Sequence, residues 1–272
     1  MSCLLPVVAG FVVPAGIFLR MALTTNHARA AEIAIDHGKN SLTLAVMAAV
    51  AAVTLGMLLA YARRLDPRPL TGVASRAASA GYALPGTVLG LGLLVPLTFL
   101  DHRINELAGR LFGSTSELIL TGSVFAVLLG YQSRFVGVAL ALMQPALERV
   151  RPSLDDAART LGASRPRILL RLHLPMLRAS VLAAGLLVFV DVVKELPATL
   201  MLRPFNFETL AVRTYQPAAD ERLEQAAYSA LLIIALGLIP VVVLSRLMAR
   251  DTRPALGPSD AGATENAALL KP

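Results

Sequence analysis

The chain has 272 residues and a net charge of +7, and its composition is 56% hydrophobic but only 16% charged. Soluble domains hold about 45–50% apolar and about 25% charged residues, so the composition is not that of an ordinary soluble domain. No aromatic-plus-basic patch accompanies the positive charge, which argues against nucleic-acid binding. The single cysteine, Cys3, permits no internal disulfide and no cysteine-based metal site. The four histidines have no ligand-like spacing and are expected in solvated loops (His27, His37, His102 and His173).

Six long apolar runs predict six membrane-spanning helices. About 20 apolar residues let a helix cross a bilayer, and these runs are too long and continuous for the alternating strands of a barrel. We therefore expect an all-α membrane protein, with a transmembrane domain over residues 1–250 and a disordered cytoplasmic tail over 251–272. The runs cover Leu4–Leu23, Leu42–Ala62, Tyr82–Leu100, Leu118–Met143, Leu177–Leu196 and Ala226–Met248.

Arginine residues are concentrated in the connections that follow the second, fourth and sixth runs. Cytoplasmic loops carry an excess of Lys and Arg, so these connections and both termini are predicted to lie in the cytoplasm. The alternative for the first run is a signal-peptide core, with Ala28-Arg29-Ala30 as its cleavage site. No basic residue precedes that core and the run is long enough to span, so we favour a transmembrane helix.

The third run contains Gly86 and Gly90, a G-x-x-x-G spacing that permits close approach of a neighbouring helix. Small residues are common throughout membrane helices, so we interpret this spacing as tight packing within one subunit. Pro85 and Pro96 in the same run favour bends, because proline leaves backbone carbonyls without a partner.

The connection over residues 144–176 is predicted to form two short helices joined by a turn. Ser153 and Asp156 have the spacing of a capping box, so the first helix should start there. Gly162 is suited to the position after its end, because glycine adopts a positive φ without a steric penalty. Ser164 is expected to cap the second helix, which should stop before Pro175.

The first of these helices offers a small apolar face made by Ala157, Ala158 and Leu161. Such a face suits insertion into a groove on another protein. The alternative is a basic amphipathic loop that lies on anionic lipid. The placement of the glycine, the predicted caps and the predicted topology all agree with a docking segment, which we therefore favour.

The pattern of Asp156-Ala-Ala, Gly162 and Leu174-Pro175 resembles the "EAA" loop of bacterial ABC importer permeases. The resemblance implies the fold of a type I ABC importer permease, in which this loop docks into a cleft on the ATPase subunit. The loop of that family usually begins with Glu, where this chain has an aspartate. The residues implied in coupling to the ATPase are Asp156, Ala157, Ala158, Leu161, Gly162, Leu174 and Pro175.

Three charged residues stand near the outer end of the fifth run: Asp191, Lys194 and Glu195. Their spacing of three and four residues places them on one face of a helix. Charges within the bilayer are costly, so this face should line the bundle interior or water, as part of a translocation path or gate. The alternative is an ion pair at the helix end near the headgroups. Arg134 in the fourth run is a candidate partner for one of the carboxylates.

Two further stretches, Lys194–Thr199 and Leu202–Ala211, resemble the ferric-iron permeases of the ABC superfamily, as do Tyr61–Arg64 and Gly81–Gly86. The resemblance covers most of the chain and implies a permease subunit of an iron(III) importer in a bacterial inner membrane. Permeases for thiamine, phosphonate and polyamine are related and remain alternatives. Ferric permeases are commonly two fused six-helix halves, and this chain resembles the second half only.

The resemblance implies several partners: cytoplasmic ABC ATPases, a periplasmic binding protein, a second permease half and membrane lipid. The sequence contains no G-x-x-x-x-G-K-[ST] phosphate loop, so ATP is expected in the ATPase and no cofactor is expected in this chain. The outer stretch over Arg203–Arg222 is expected to meet the binding protein. Two other classes remain open. A secondary transporter or channel would use Asp191, Lys194 and Glu195, and a membrane-embedded enzyme would need a catalytic constellation that is not visible.

Overall fold

The computed structural model describes residues 4–24, 28–112 and 119–251, with side chains over 4–24, 31–110 and 119–246, and these residues are almost entirely helical. The predicted all-α class is therefore confirmed. The tail predicted to be disordered lies outside the described residues, except for Asp251. The helices are α1 (Leu4–Thr24), α2 (Ala28–Leu65), α3 (Pro69–Ala83), α4 (Gly86–Phe112), α5 (Val124–Glu148), α6 (Pro152–Thr160), α7 (Arg165–Met176), α8 (Arg178–Val193), α9 (Pro197–Leu202), α10 (Leu210–Ala219) and α11 (Leu223–Asp251).

Five described helices are long and apolar enough to cross a membrane: α1, α2, α4, α5 and α11. The fifth predicted run, Leu177–Leu196, corresponds to α8, which follows α7 after a bend of 80°. Helix α8 alone has 16 residues and is about 24 Å long at 1.5 Å per residue. The prediction that this run continues as a helix to Leu196 is wrong. Pro197 has no N–H to bond the carbonyl of Val193, and the helix ends at that residue.

The third and fourth runs also begin at different residues from those predicted. Tyr82 belongs to α3, and the chain breaks before α4 begins at Gly86. Helix α5 begins at Val124, because the preceding residues form turns on the buried carboxylate of Asp101. That carboxylate accepts the backbone N–H groups of Ile119, Leu120 and Thr121 at 3.0, 2.8 and 2.7 Å.

The core lies where α2, α3, α5 and α8 pack together, and small residues bring their backbones close. A Cβ on Gly56 would lie 2.9 Å from the Cβ of Ala139, and one on Gly137 would lie 2.7 Å from the carbonyl oxygen of Ala78. Close packing of this kind holds helices together in lipid, where no hydrophobic effect drives them together. Helix α1 lies at the periphery, where the hydroxyl of Tyr228 on α11 donates to its C-terminal turn.

Candidate functional site

The turn between α6 and α7 is a Schellman motif centred on Gly162. Its φ is +78°. The N–H of Ala163 bonds the carbonyl of Ala158 at 3.0 Å, and the N–H of Gly162 bonds the carbonyl of Arg159 at 2.9 Å. These two bonds satisfy helix-end carbonyls and require a left-handed residue at the glycine position. The structure thus has two helices on either side of a turn at Gly162, whose left-handed φ agrees with the predicted position of the glycine.

The first helix of this segment begins two residues earlier than a cap at Ser153 predicts, and the capping box is wrong. Arg151 is the N-cap, in extended conformation, and Pro152 is the first helical residue, where its fixed φ and missing N–H cost little. Ser153 therefore lies inside the helix. Ser164 does stand at the N-cap of the second helix as predicted, although its side chain makes no capping hydrogen bond.

The second helix passes through Pro175 instead of stopping before it. A π turn over Leu169–His173 precedes the proline, and the N–H of Leu174 bonds the carbonyl of Leu169. The π turn accommodates the break that a proline makes in α-helical hydrogen bonding, so the helix continues to Met176. The chain then turns by 80° into α8.

The residues predicted to dock all lie at the surface. Leu161 is 88% exposed at the tip of the turn, which is unusual for a large apolar side chain on a rigid motif. Asp156, Ala157, Leu174 and Pro175 are exposed, and Ala158 is half-buried. We call residues 152–176 the docking segment.

Sequence reasoning selected Asp156 and missed its neighbour Asp155. The carboxylate of Asp156 lies 3.4 Å from Nη1 of Arg159 and is exposed. Asp155 is buried, with its carboxylate 2.8 Å from Nε of Arg64 and 3.0 Å from Nε2 of His173. Only one of two adjacent residues can face inward from a helix. The amphipathic pattern could have indicated which one, since Asp155 lies on the opposite face from Ala157 and Leu161.

His173 is completely buried in the docking segment, so its expected place in a solvated loop is wrong. Burial lowers the pKa of His173 below its ordinary value, and the nearby Asp155 carboxylate opposes this shift only in part. A neutral imidazole beside the Arg64–Asp155 ion pair leaves the cluster without net charge, which makes its burial tolerable.

The three charges at the end of α8 divide into two separate pairs. Glu195 is buried and its Oε1 lies 3.2 Å from Nη1 of Arg134 on α5, so the candidate partner is confirmed. Lys194 instead pairs with Asp191 at 2.9 Å, and its side chain is 61% exposed. It lines a groove with Phe11 of α1 and with residues of α11. The prediction of one shared helical face is wrong, because α8 ends at Val193 and the chain turns before Glu195.

Gly86 and Gly90 make room for the Arg134–Glu195 pair and for α9. A Cβ on Gly86 would collide with Nη1 of Arg134 and lie 2.7 Å from Oε1 of Glu195. A Cβ on Gly90 would lie 2.8 Å from the Cβ of Met201 on α9. The predicted tight packing within one subunit is therefore confirmed, and it occurs at the buried ion pair itself.

Hydrogen bonds hold the break between α8 and α9 against α5. Oε1 of Glu195 accepts the N–H of Ala198 at 3.2 Å, at the start of α9. The hydroxyl of Thr199 donates to the carbonyl of Glu195 at 2.7 Å, and its oxygen lies 2.7 Å from the hydroxyl of Tyr131 on α5. Within the described residues, no group of three or more His, Cys, Asp or Glu side chains could hold a metal ion. Because Glu195 pairs with Arg134, this pair adds no net charge to the break, and hydrogen bonds fix the position of the break.

An all-helical bundle of apolar spans, with a buried ion pair at a helix break and an amphipathic helix pair beside the spans, is the architecture of a multi-spanning membrane protein. Residues 52–254 match the family described as binding-protein-dependent transport system inner membrane component, and the chain belongs to that family. The expected membership of the ABC importer permeases is thereby confirmed.

Curated relatives include ferric permeases. The chain is 27% identical over 165 residues to the Fe(3+)-transport system permease protein FbpB 2 of Haemophilus influenzae, covering 61% of this chain and 29% of that protein. It is also 27% identical over 169 residues to the probable ABC transporter permease protein y4fN of Sinorhizobium fredii, a match that covers 61% of this chain and 28% of that protein. The chain thus spans less than a third of the length of both. A probable molybdenum ABC transporter permease protein of Haloferax volcanii is 25% identical, and the match covers 79% of this chain and 76% of that protein.

Solved structures confirm the fold. A chain of the bacterial alginate ABC transporter, crystallised with an alginate pentasaccharide-bound periplasmic protein, superimposes with a TM-score of 0.67 at 16% identity. The match covers 93% of this chain and 94% of that one. At this identity the likeness concerns the helical architecture only.

Proposed function

We propose that this chain is one permease subunit of an ATP-driven importer that moves iron(III) across a bacterial inner membrane, with both termini in the cytoplasm. The observation that supports the importer most directly is the docking segment, which presents Leu161 and Ala157 to solvent on a rigid turn. Apolar side chains held at the tip of a fixed turn can insert into a groove on a partner protein. The occupant that fits is a groove on a cytoplasmic ABC ATPase, which would supply the ATP chemistry.

Iron as the substrate rests on the relatives, of which three are described as ferric transport permeases. A molybdenum compound is the second candidate, because the Haloferax relative matches over 76% of its length.

The outer stretch over Arg203–Arg222 would meet a periplasmic binding protein. Phe205 is 98% exposed there, on a turn in which Nη1 of Arg203 donates to the carbonyl of Phe207 at 3.2 Å. The charges of this stretch would orient the encounter and affect its rate more than its affinity. A six-helix half encloses no path between two bundles, so a second copy or a homologous half completes the pore.

The test is uptake into cells that lack the chromosomal copy of this permease. Cells that express the chain with its ATPase should accumulate radioactive iron(III), and a tenfold excess of molybdate should not compete. Uptake of molybdate with no iron(III) uptake would show that the substrate is the molybdate oxyanion and not iron(III). Recovery of the tagged permease in mild detergent without any ATPase would refute the importer itself.

A further inference from the structure

The last turn of α2 is bonded to the end of α5 and to the docking segment by a single side chain, Arg64. Its Nε contacts the carboxylate of Asp155 at 2.8 Å, Nη1 donates to the carbonyl of Leu147 at 2.6 Å, and Nη2 donates to the carbonyl of Val150 at 2.9 Å. Leu147 lies in the last turn of α5 and Val150 two residues after its end, where the negative end of the helix dipole favours a cation. One planar guanidinium thus joins three parts of the fold.

The same turn of α2 also holds the second helix of the docking segment. The hydroxyl of Tyr61 donates to the carbonyl of Arg165, the first residue of α7, at 3.0 Å. Its ring lies 5.5 Å from the ring of His173, which in turn contacts Asp155. Both helices of the docking segment are therefore attached to one turn of one spanning helix.

We propose that Arg64 is a positioning residue that makes the docking segment move as one rigid body with α2 and α5. This inference rests on the importer function proposed above, because it supplies the route by which a movement at the ATPase would reach the spans. Charge-assisted hydrogen bonds are stronger than neutral ones, and the fork of Arg fixes direction as well as distance. Arg64 and Asp155 are both largely buried, so neither side chain can exchange its partner for water when a force acts on the docking segment.

Spin-label distances test the rigid body directly. In a Cys3→Ser chain, one label is placed at exposed Arg167 on α7. The other is placed at exposed Val46 on α2, about 27 Å along the helix from Arg64. The purified permease–ATPase complex is measured without nucleotide and with ATP. The parent chain should show one narrow distance that ATP does not change. With Arg64→Ala or Asp155→Asn the distribution should broaden and shift when ATP is added.

Arg63→Ala is the matched control. Arg63 lies on the same turn and makes no hydrogen bond or ion pair among the residues that the structure describes. This variant should keep the narrow, unchanged distance. Arg64→Lys keeps the charge but cannot form the three-way fork, so it should broaden the distribution less than Arg64→Ala. It also provides the measurement if the alanine variant yields no folded protein.

Three results would overturn the proposal. The first is a distance that shifts with ATP in the parent chain. The second is an Arg64→Ala or Arg64→Lys chain that keeps the parental distribution, even with a lower yield or melting temperature, since Arg64 would then only stabilise the fold. The third is an Arg63→Ala chain that broadens as much as Arg64→Ala. If no ATPase is recovered with the parent chain, the proposed importer function fails instead. The width of the distance distribution in the permease alone then still shows whether Arg64 holds the docking segment to α2.

Discussion

Replacing Gly162 with valine should separate docking from membrane insertion. The residue has a φ of +78°, and a Cβ built on it meets nothing within 4 Å. The cost of a side chain is therefore conformational and not a clash with a neighbour. A left-handed conformation costs an ordinary L-residue about 1–2 kcal/mol, and a β-branched side chain is worse. This corresponds to about a 5- to 30-fold loss of the native turn, at about 1.4 kcal/mol per factor of ten.

The assay is recovery of the ATPase with tagged permease, divided by the amount of permease in the membrane. Gly162→Val should lower this ratio at normal membrane levels, because the turn lies outside the spanning helices. Gly162→Asn is the matched control, since Asn adopts left-handed conformations and should retain recovery close to that of the parent. Ala158→Leu, which would overfill a receiving groove, should resemble the valine variant at a cost of about 1–3 kcal/mol. Parental recovery with both Gly162→Val and Ala158→Leu would refute a docking role for this turn.

Four other outcomes follow from the geometry. Gly86→Ala should lower the melting temperature in detergent because its Cβ would displace the buried ion pair, whereas Gly92→Ala, with open space around it on the same helix, should not. Glu195→Gln should lower iron(III) uptake while ATPase recovery persists, and unchanged uptake would make this carboxylate structural only. Asp101→Asn replaces one acceptor oxygen with a donor and should destabilise by about 1–3 kcal/mol, measured by thermal unfolding; an unchanged melting temperature would contradict this. A reporter fused after Arg151 should be active only as a cytoplasmic enzyme, and a periplasmic signal there would reverse the topology.

The helix break at the end of α8 shows that helical spacing in the sequence does not by itself place charged side chains on one face. Asp191, Lys194 and Glu195 have helical spacing, and the predicted shared face followed from it. Pro197 ends the helix at Val193, and Glu195 then turns to Arg134, 61 residues away in sequence. The proline was visible, but its effect four residues upstream depends on how α9 packs against α4 and α5.

Local chemistry was sufficient for the helical class of this protein and for the turn at Gly162, but not for every helix end. Apolar runs must become helices in lipid, because backbone groups have no other hydrogen-bond partners there. The turn at Gly162 could be predicted because glycine adopts the positive φ that the turn requires. Only the tertiary structure decided which side chains pair with the buried charges. Asp155 was preferred over Asp156 because Arg64, 91 residues earlier, and His173 meet on that face. A buried charge is tolerated only where a partner is already positioned, and that partner belongs to another helix.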